Sequence, residues 1–332
     1  MVGMIRFGSL LFLILLFVFF AVVVLALPLF GQRMLHPLSL QTDSTATEIY
    51  RLRVPRTMLS LVAGSGLALA GLVFQALFRN PLATPYTLGV ASGASFGAAL
   101  YYQFGWRFTV LFLGIPGISW AAFGGALLAM SVVYFLARMR DTSSEQMLLA
   151  GVAVNFFFAS LILLLQYIAE RHNALRMLHW TMGGVADAEW KDCWRLCPLV
   201  IGSGLILFFL SRELNVLATG RDQALAFGVN VERLRTVLFL MSSLLVGAIV
   251  AVAGPIGFVG LMVPHIARML VGPDHRKLIP ATLFFGAIFL TLCDVPARSV
   301  IPKSELPVGI VTSLLGGPFF LWLLLRSGKR LG

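Results

Sequence analysis

Few side chains in this sequence have a type and spacing that could do chemistry, and each admits a plainer reading. Cys193 and Cys197 stand four apart and could share a helix face, but no other soft ligand lies near them, so small apolar fillers suit them better than a metal site. The five histidines (His36, His172, His179, His265 and His275) form no metal-binding pattern such as HExxH. His172 and His179 could touch a haem or an iron chelate, although a solvated loop histidine is the commoner case. Gly64-Ser65-Gly66 followed by Gly71 imitates a dinucleotide fingerprint, yet no strand precedes it and the stretch is uncharged, which rejects that reading. No Walker A sequence is present, so this chain does not itself cradle a nucleotide. Nothing here implies a catalytic residue, a metal site or a cofactor.

The elements that would have to position any of these groups are set by composition. Of the 332 residues, 59% are hydrophobic and 12% charged, about half the charge of a soluble domain. A net charge of +11 raises nucleic acid as a partner, but the basic residues sit in short clusters between apolar runs, as in loops flanking membrane helices. The chain therefore reads as an all-α, polytopic membrane protein, a single transmembrane domain over 1–332.

A spanning helix takes about 20 apolar residues, because lipid offers its backbone no hydrogen-bond partner. Runs of that kind cover Ser9–Leu29, Thr57–Phe78, Tyr86–Phe104, Ile118–Ala137, Gln146–Ile168, Trp194–Ser211 and Thr236–Ala253. A short, irregular crossing is expected at Pro255–Leu270, then Leu278–Cys293, then Leu306–Leu325 with a kink at Gly316-Gly317-Pro318. That makes about ten crossings. The first run is too long for a signal h-region and reads as a retained helix. Gly89, Gly93 and Gly97, like Gly64 and Gly71, are spaced for close helix packing.

Ten crossings put both termini on one side, and a slim majority of the basic residues places that side in the cytosol. The outer face stays unusually basic, with Arg51, Arg53, Arg56 and Arg298. The outer loop, 169–192, is too polar to span and suits a short interfacial helix with Trp180 and Trp190 at headgroup depth. On the cytosolic side, the loop 212–235 carries an apolar patch (Ala224, Leu225, Phe227 and Val229) flanked by Arg221 and Glu232. Two short helices about a turn at Gly228 would make a rigid knob for another subunit. An ordinary amphipathic loop helix fits the composition equally well.

Five blocks then carry a resemblance. RLRVPRTMLSLVAGSGLALAGLVFQALFRNPLATPYTLGVASGA (51–94), MLLAGVAVN (147–155), ALAFGVNVERLR (224–235), GPIGFVGLMVPHIARMLVGPDHRKLIPA (254–281) and ELPVGIVTSLLGGPFFLWLLLR (305–326) resemble the iron-chelate and cobalamin class of ABC importer permeases. The resemblance runs in order through nearly the whole chain after the first helix. It implies a permease of the bacterial inner membrane, with a second permease copy or a close paralogue, two cytosolic ATPase subunits and a periplasmic substrate-binding protein. A metal chelate would be the cargo, ferric siderophore ahead of haem or cobalamin.

The resemblance also assigns residues. It makes Arg221, Ala224, Leu225, Phe227, Gly228 and Val229 the ATPase-coupling element. It places a cytosolic gate at Ser143, Ser144 and Glu145, where an acid departs from the family pattern, and a path along Met147, Gly151 and Asn155. Arg53, Arg56 and Arg298 match arginines that receive acidic residues of the binding protein. An independent argument points the same way, since outward arginines oppose the positive-inside bias and each offers a planar fork for a carboxylate. Lipid-phosphate anchoring is the plainer alternative. An ion-coupled secondary transporter is the rival function, but it calls for buried ionisable groups along the path. Here Asp294 and Glu305 sit only at helix ends.

Overall fold

The computed structural model describes residues 21–37, 39, 43–105, 115–138, 144–302 and 304–328. Only the last part of the first apolar run falls among them: residues 21–26 are helical, and a 3-10 turn follows at Leu27–Leu29. The rest of that run lies outside the described residues.

Twelve α-helices follow among the described residues: α1 Ser44–Phe78, α2 Val90–Phe104, α3 Gly117–Arg138, α4 Ser144–Ile168, α5 Arg171–Thr181, α6 Trp190–Phe209, α7 Ser211–Thr219, α8 Arg221–Ala226, α9 Val231–Ala253, α10 Val259–Val271, α11 His275–Ala297 and α12 Val308–Gly328. Six of them (α1, α3, α4, α6, α9 and α11) are long and apolar enough to cross a membrane. With α2, α10, α12 and the N-terminal run, this is a polytopic bundle of about ten crossings.

The expected bounds shift where polar residues extend a helix beyond the apolar run. α1 starts at Ser44 rather than Thr57, because Asp43 caps it by accepting from the Thr45 amide at 2.9 Å. It then runs through Pro55, so Arg51, Arg53 and Arg56 are helical rather than looped. Similar polar first turns start α6 at Trp190, with a Glu189–Asp192 capping box, and α9 at Val231, with Asn230 as cap. The outer loop contains the expected short helix, α5. α12 is one continuous helix that contains Gly316, Gly317 and Pro318.

α1 is the hub, packed against α11, α9, α10 and α6. Small residues permit the approach. A Cβ added at Gly64 would lie 2.2 Å from the Gly286 carbonyl oxygen of α11, and one at Gly71 would lie 1.9 Å from that of Gly260 in α10. α2 meets α3 the same way, Gly93 against Gly125 and Gly97 against Ala121. The glycine spacing in the sequence therefore marks helix contacts, as expected.

Two crossings are incomplete helices. α2 has 15 residues and α10 has 13, so at 1.5 Å per residue they rise about 22 and 20 Å, short of a hydrocarbon core of about 30 Å. The chain leading into each is non-helical: residues 80–89 before α2, and Gly254–Phe258 before α10. Gly89, Gly254 and Phe258 all have positive φ, which for a residue as bulky as Phe258 is strained. The first break leaves the Arg79 end of α1. The second leaves the end of α9 that packs on Gly183 and Gly184, the Arg56 end of the molecule.

Candidate docking and passage sites

Four ionisable residues converge at the Arg56 end. Arg56 Nε donates to Asp294 Oδ1 at 2.8 Å, and Nη1 donates to Glu305 Oε2. Arg298, one helical turn after Asp294, brings its Nε to 3.5 Å from Asp294 Oδ2 and donates from Nη2 to the Leu27 carbonyl at 3.0 Å. Asp294 is fully buried, Arg56 and Arg298 nearly so, and only Glu305 reaches solvent. Burial holds the Arg298 guanidinium down to about 10 despite the pull of Asp294. Arg53 is half-buried and donates to the Pro28 and Arg33 carbonyls. Arg56 and Arg298 are thus buried and paired within the chain, whereas Arg53 lies nearer the surface. A charge leaving water at a helix end is stabilised by a fixed counter-charge, and Asp294 supplies it to both. In the sequence, Asp294 stands four residues before Arg298, the spacing of a helical ion pair, so this half of the cluster is legible there.

The opposite end carries the loop 212–235. α8 ends at Ala226 with Phe227 as its C-cap, and Gly228 turns the chain with φ +77°, after which Asn230 accepts from the Arg233 amide at 3.0 Å and starts α9. Ala224 is fully buried and fixes α8 to the bundle, whereas Phe227 is 76% exposed and Leu225 53%. Val229 is partly buried, and Arg221 pairs with Glu232 at 3.2 Å. The result is the helix–turn–helix knob of the sequence reading, with an apolar tip. α7 supports it through Asn215, whose Nδ2 donates to Asp274 at 2.7 Å while its Oδ1 accepts from the His275 amide at 2.9 Å.

α4 holds the residues expected to line a path. Asn155 Nδ2 donates to the carbonyls of Tyr86 (3.0 Å) and Thr87 (3.1 Å), and its Oδ1 accepts from Ser92 Oγ at 2.8 Å. Gly151 lets α4 lie against Thr87 and Leu88, and Met147 packs on the core. Asn155 and Gly151 therefore fasten α4 to the non-helical segment before α2. The outward face of α4 is instead Leu149, Val152, Phe156 and Tyr167, all exposed. Ser143 lies outside the described residues. Ser144 and Glu145 start α4, and their side chains are not described.

The two chain breaks meet beside α4. A Cβ placed on Gly257 would lie 3.7 Å from the Tyr86 ring. Beside them opens a cavity of about 450 Å³ between α2, α4, Thr181 and Pro255. Phe258 is pressed on α12, where a Cβ at Gly316 would fall 2.0 Å from its ring. Non-helical backbone at membrane depth is stable only when buried in protein or lining a cavity, and these segments are largely buried, with the cavity beside them.

The family model described as the FecCD transport family matches residues 12–326 of this chain. The chain belongs to the FecCD transport family. Among curated relatives, the hemin transport system permease protein HmuU of Yersinia pestis is 38% identical over 279 residues, covering 84% of this chain and 83% of its own. The Fe(3+) dicitrate transport system permease protein FecC of Escherichia coli is 37% identical over 286 residues, 84% of this chain and 83% of its own. A solved metal-chelate-type ABC transporter in an inward-facing conformation superposes with a TM-score of 0.80 at 34% identity, covering 96% of this chain and 98% of that one. As a FecCD permease, the chain is a membrane-embedded subunit of an ABC importer, with ATP hydrolysis assigned to separate ATPase subunits. In this FecCD chain the knob at α8, the ionic cluster at Arg56 and the cavity at Tyr86 are separate features of the bundle, two at its ends and one between.

Proposed function

We propose that this FecCD chain is the permease of an importer carrying a metal chelate, a ferric siderophore first, across a bacterial inner membrane. It pairs with a second copy or a close paralogue, with both termini cytosolic. The observation that carries this reading is the α8 knob. Phe227 and Leu225 stand exposed on a short helix anchored by Ala224, outside every membrane-spanning segment, where an apolar tip gains only by burial in a partner. A cytosolic ATPase subunit is that partner, and two copies of the knob serve two ATPases.

The exposed apolar face of α4 at Leu149, Phe156 and Tyr167 supports pairing with a second permease, which would enclose a passage between copies. A gate at Ser143, Ser144 and Glu145, at the start of α4, belongs to the same reading. At the other end, a binding protein meets the Arg56 cluster. Because Arg56 is already paired, a docking carboxylate has to displace the half-exposed Glu305, while Arg53 lies nearer the surface.

Reconstitution tests the proposal. The chain is placed in liposomes with the ATPase and the binding protein encoded beside it, and chelated radioactive iron is supplied on the binding-protein side. ATP-dependent accumulation is expected. Uptake that ignores ATP and follows a proton or sodium gradient would instead show a secondary transporter.

A further inference from the structure

The cavity beside Tyr86 is walled by two crossings broken from opposite ends of the molecule, so non-helical backbone and small side chains replace lipid-facing helix at its centre. Its wall combines Tyr86, Ser92, Asn155 and Thr181 with Phe156 and Ile162. Among the described residues, no charged side chain lines it. Several polar groups are already committed: Asn155 to Tyr86, Thr87 and Ser92, and the Thr181 hydroxyl as donor to the Leu178 carbonyl at 2.7 Å. The Tyr86 phenol remains as a donor, and the hydroxyl oxygens as acceptors.

We infer that this cavity is a cargo station that selects metal chelates with an uncharged outer surface and rejects those presenting several carboxylates. The inference rests on the permease reading above and adds the class of cargo. A neutral, hydrogen-bonding chelate with apolar flanks matches the aromatic, aliphatic and hydroxyl wall. A polyanionic chelate would enter a site at membrane depth with no cation to receive its charge, and an unpaired buried charge is strongly disfavoured. The contrast with the Arg56 end is physical. There, each guanidinium has a carboxylate, whereas here neither sign is present.

The test measures equilibrium binding of two radioactive-iron probes, a neutral ferric trihydroxamate and ferric dicitrate, to the full-length chain in lipid nanodiscs. The wild type is expected to prefer the trihydroxamate by about tenfold or more. Thr181→Arg adds a cation at the last residue of α5, a helix C-terminus that favours positive charge. It should narrow the preference by about tenfold. Dicitrate bound as tightly as trihydroxamate by the wild type overturns the inference even if Thr181→Arg does not assemble. An unchanged ratio in a folded Thr181→Arg chain overturns it too. If the reconstituted system accumulates no chelate at all, the permease reading falls and takes the inference with it. If it transports, and only the selectivity differs, the inference alone fails.

Discussion

Arg56 Nη2 lies 2.7 Å from Asp294 Oδ1, joining α1 to α11 across 238 residues of sequence at a point closed to solvent. The pair is part of a cluster of two arginines and two acids. Its members are therefore far from interchangeable: Asp294 serves both guanidiniums, whereas Glu305 serves Arg56 from the surface.

Asp294→Ala should accordingly be the most damaging single change in the cluster. It leaves two buried guanidiniums without their shared carboxylate, a loss of about 3–5 kcal/mol. Glu305→Ala, at a half-exposed site, should cost roughly 1 kcal/mol or less. Thermal unfolding of the detergent-solubilised variants measures the order. Equal losses would show that the cluster is not organised around Asp294.

Glycines divide into two kinds, and alanine should tell them apart. At Gly71 a Cβ meets backbone, the Gly260 oxygen at 1.9 Å, so α1 and α10 must separate. A loss of roughly 1–3 kcal/mol is expected for Gly71→Ala. At Gly202, within α6, nothing lies within 4 Å, and alanine should stabilise by up to about 1 kcal/mol through helix propensity. Unfolding temperatures that move the same way in both variants would contradict the packing described.

Gly316→Ala tests the contact on Phe258 separately. The added methyl falls on an aromatic ring held at φ +64°, so the ring or α12 must shift. Loss of stability is expected in the single variant, with partial recovery in Gly316→Ala/Phe258→Ala. A double variant no better than the single one would mean that the two residues are not coupled.

The α8 knob should affect coupling and leave folding nearly untouched. Phe227 is exposed, and Gly228 has open space around its Cα, so Gly228→Val costs only the backbone strain of a positive φ, about 1–2 kcal/mol. Phe227→Asp and Gly228→Val should insert normally but lower ligand-stimulated ATP hydrolysis by the assembled importer. Hydrolysis at the wild-type rate in both would reduce the loop to a linker.

Asp274 gives the expected acid dependence. The Asn215 amide and then the Arg276 backbone N–H hold its carboxyl below the usual carboxylate value. A carboxyl depressed on folding contributes stability above its unfolded pKa, about 3.9, and that contribution is lost as pH falls through the lower folded value. Asp274→Asn should flatten the acid limb of the unfolding temperature below about pH 4. An unaltered limb would place the acid sensitivity elsewhere.

The sequence by itself determined that this chain is a helical membrane protein, since a 59% hydrophobic composition with clustered charge has no aqueous fold. The turn at Gly228 was legible too, because capping residues and a glycine turn are local signals read within a few residues, but the composition fits a knob and an ordinary loop helix equally. The glycine contacts were legible for the same reason, as spacing along one helix face. Tertiary structure decided what distance along the chain conceals. Arg56 looks like an outward cation until α11 brings Asp294 beside it, and a partner 238 residues away leaves no pattern in a single sequence. The resemblance assigns Asn155 to a path, but whether that face of α4 meets its own bundle or a passage depends on where residues 80–89 fold. The meeting of Tyr86 with Gly257 was likewise invisible, because hydropathy reports how long an apolar run is and not where its helix starts.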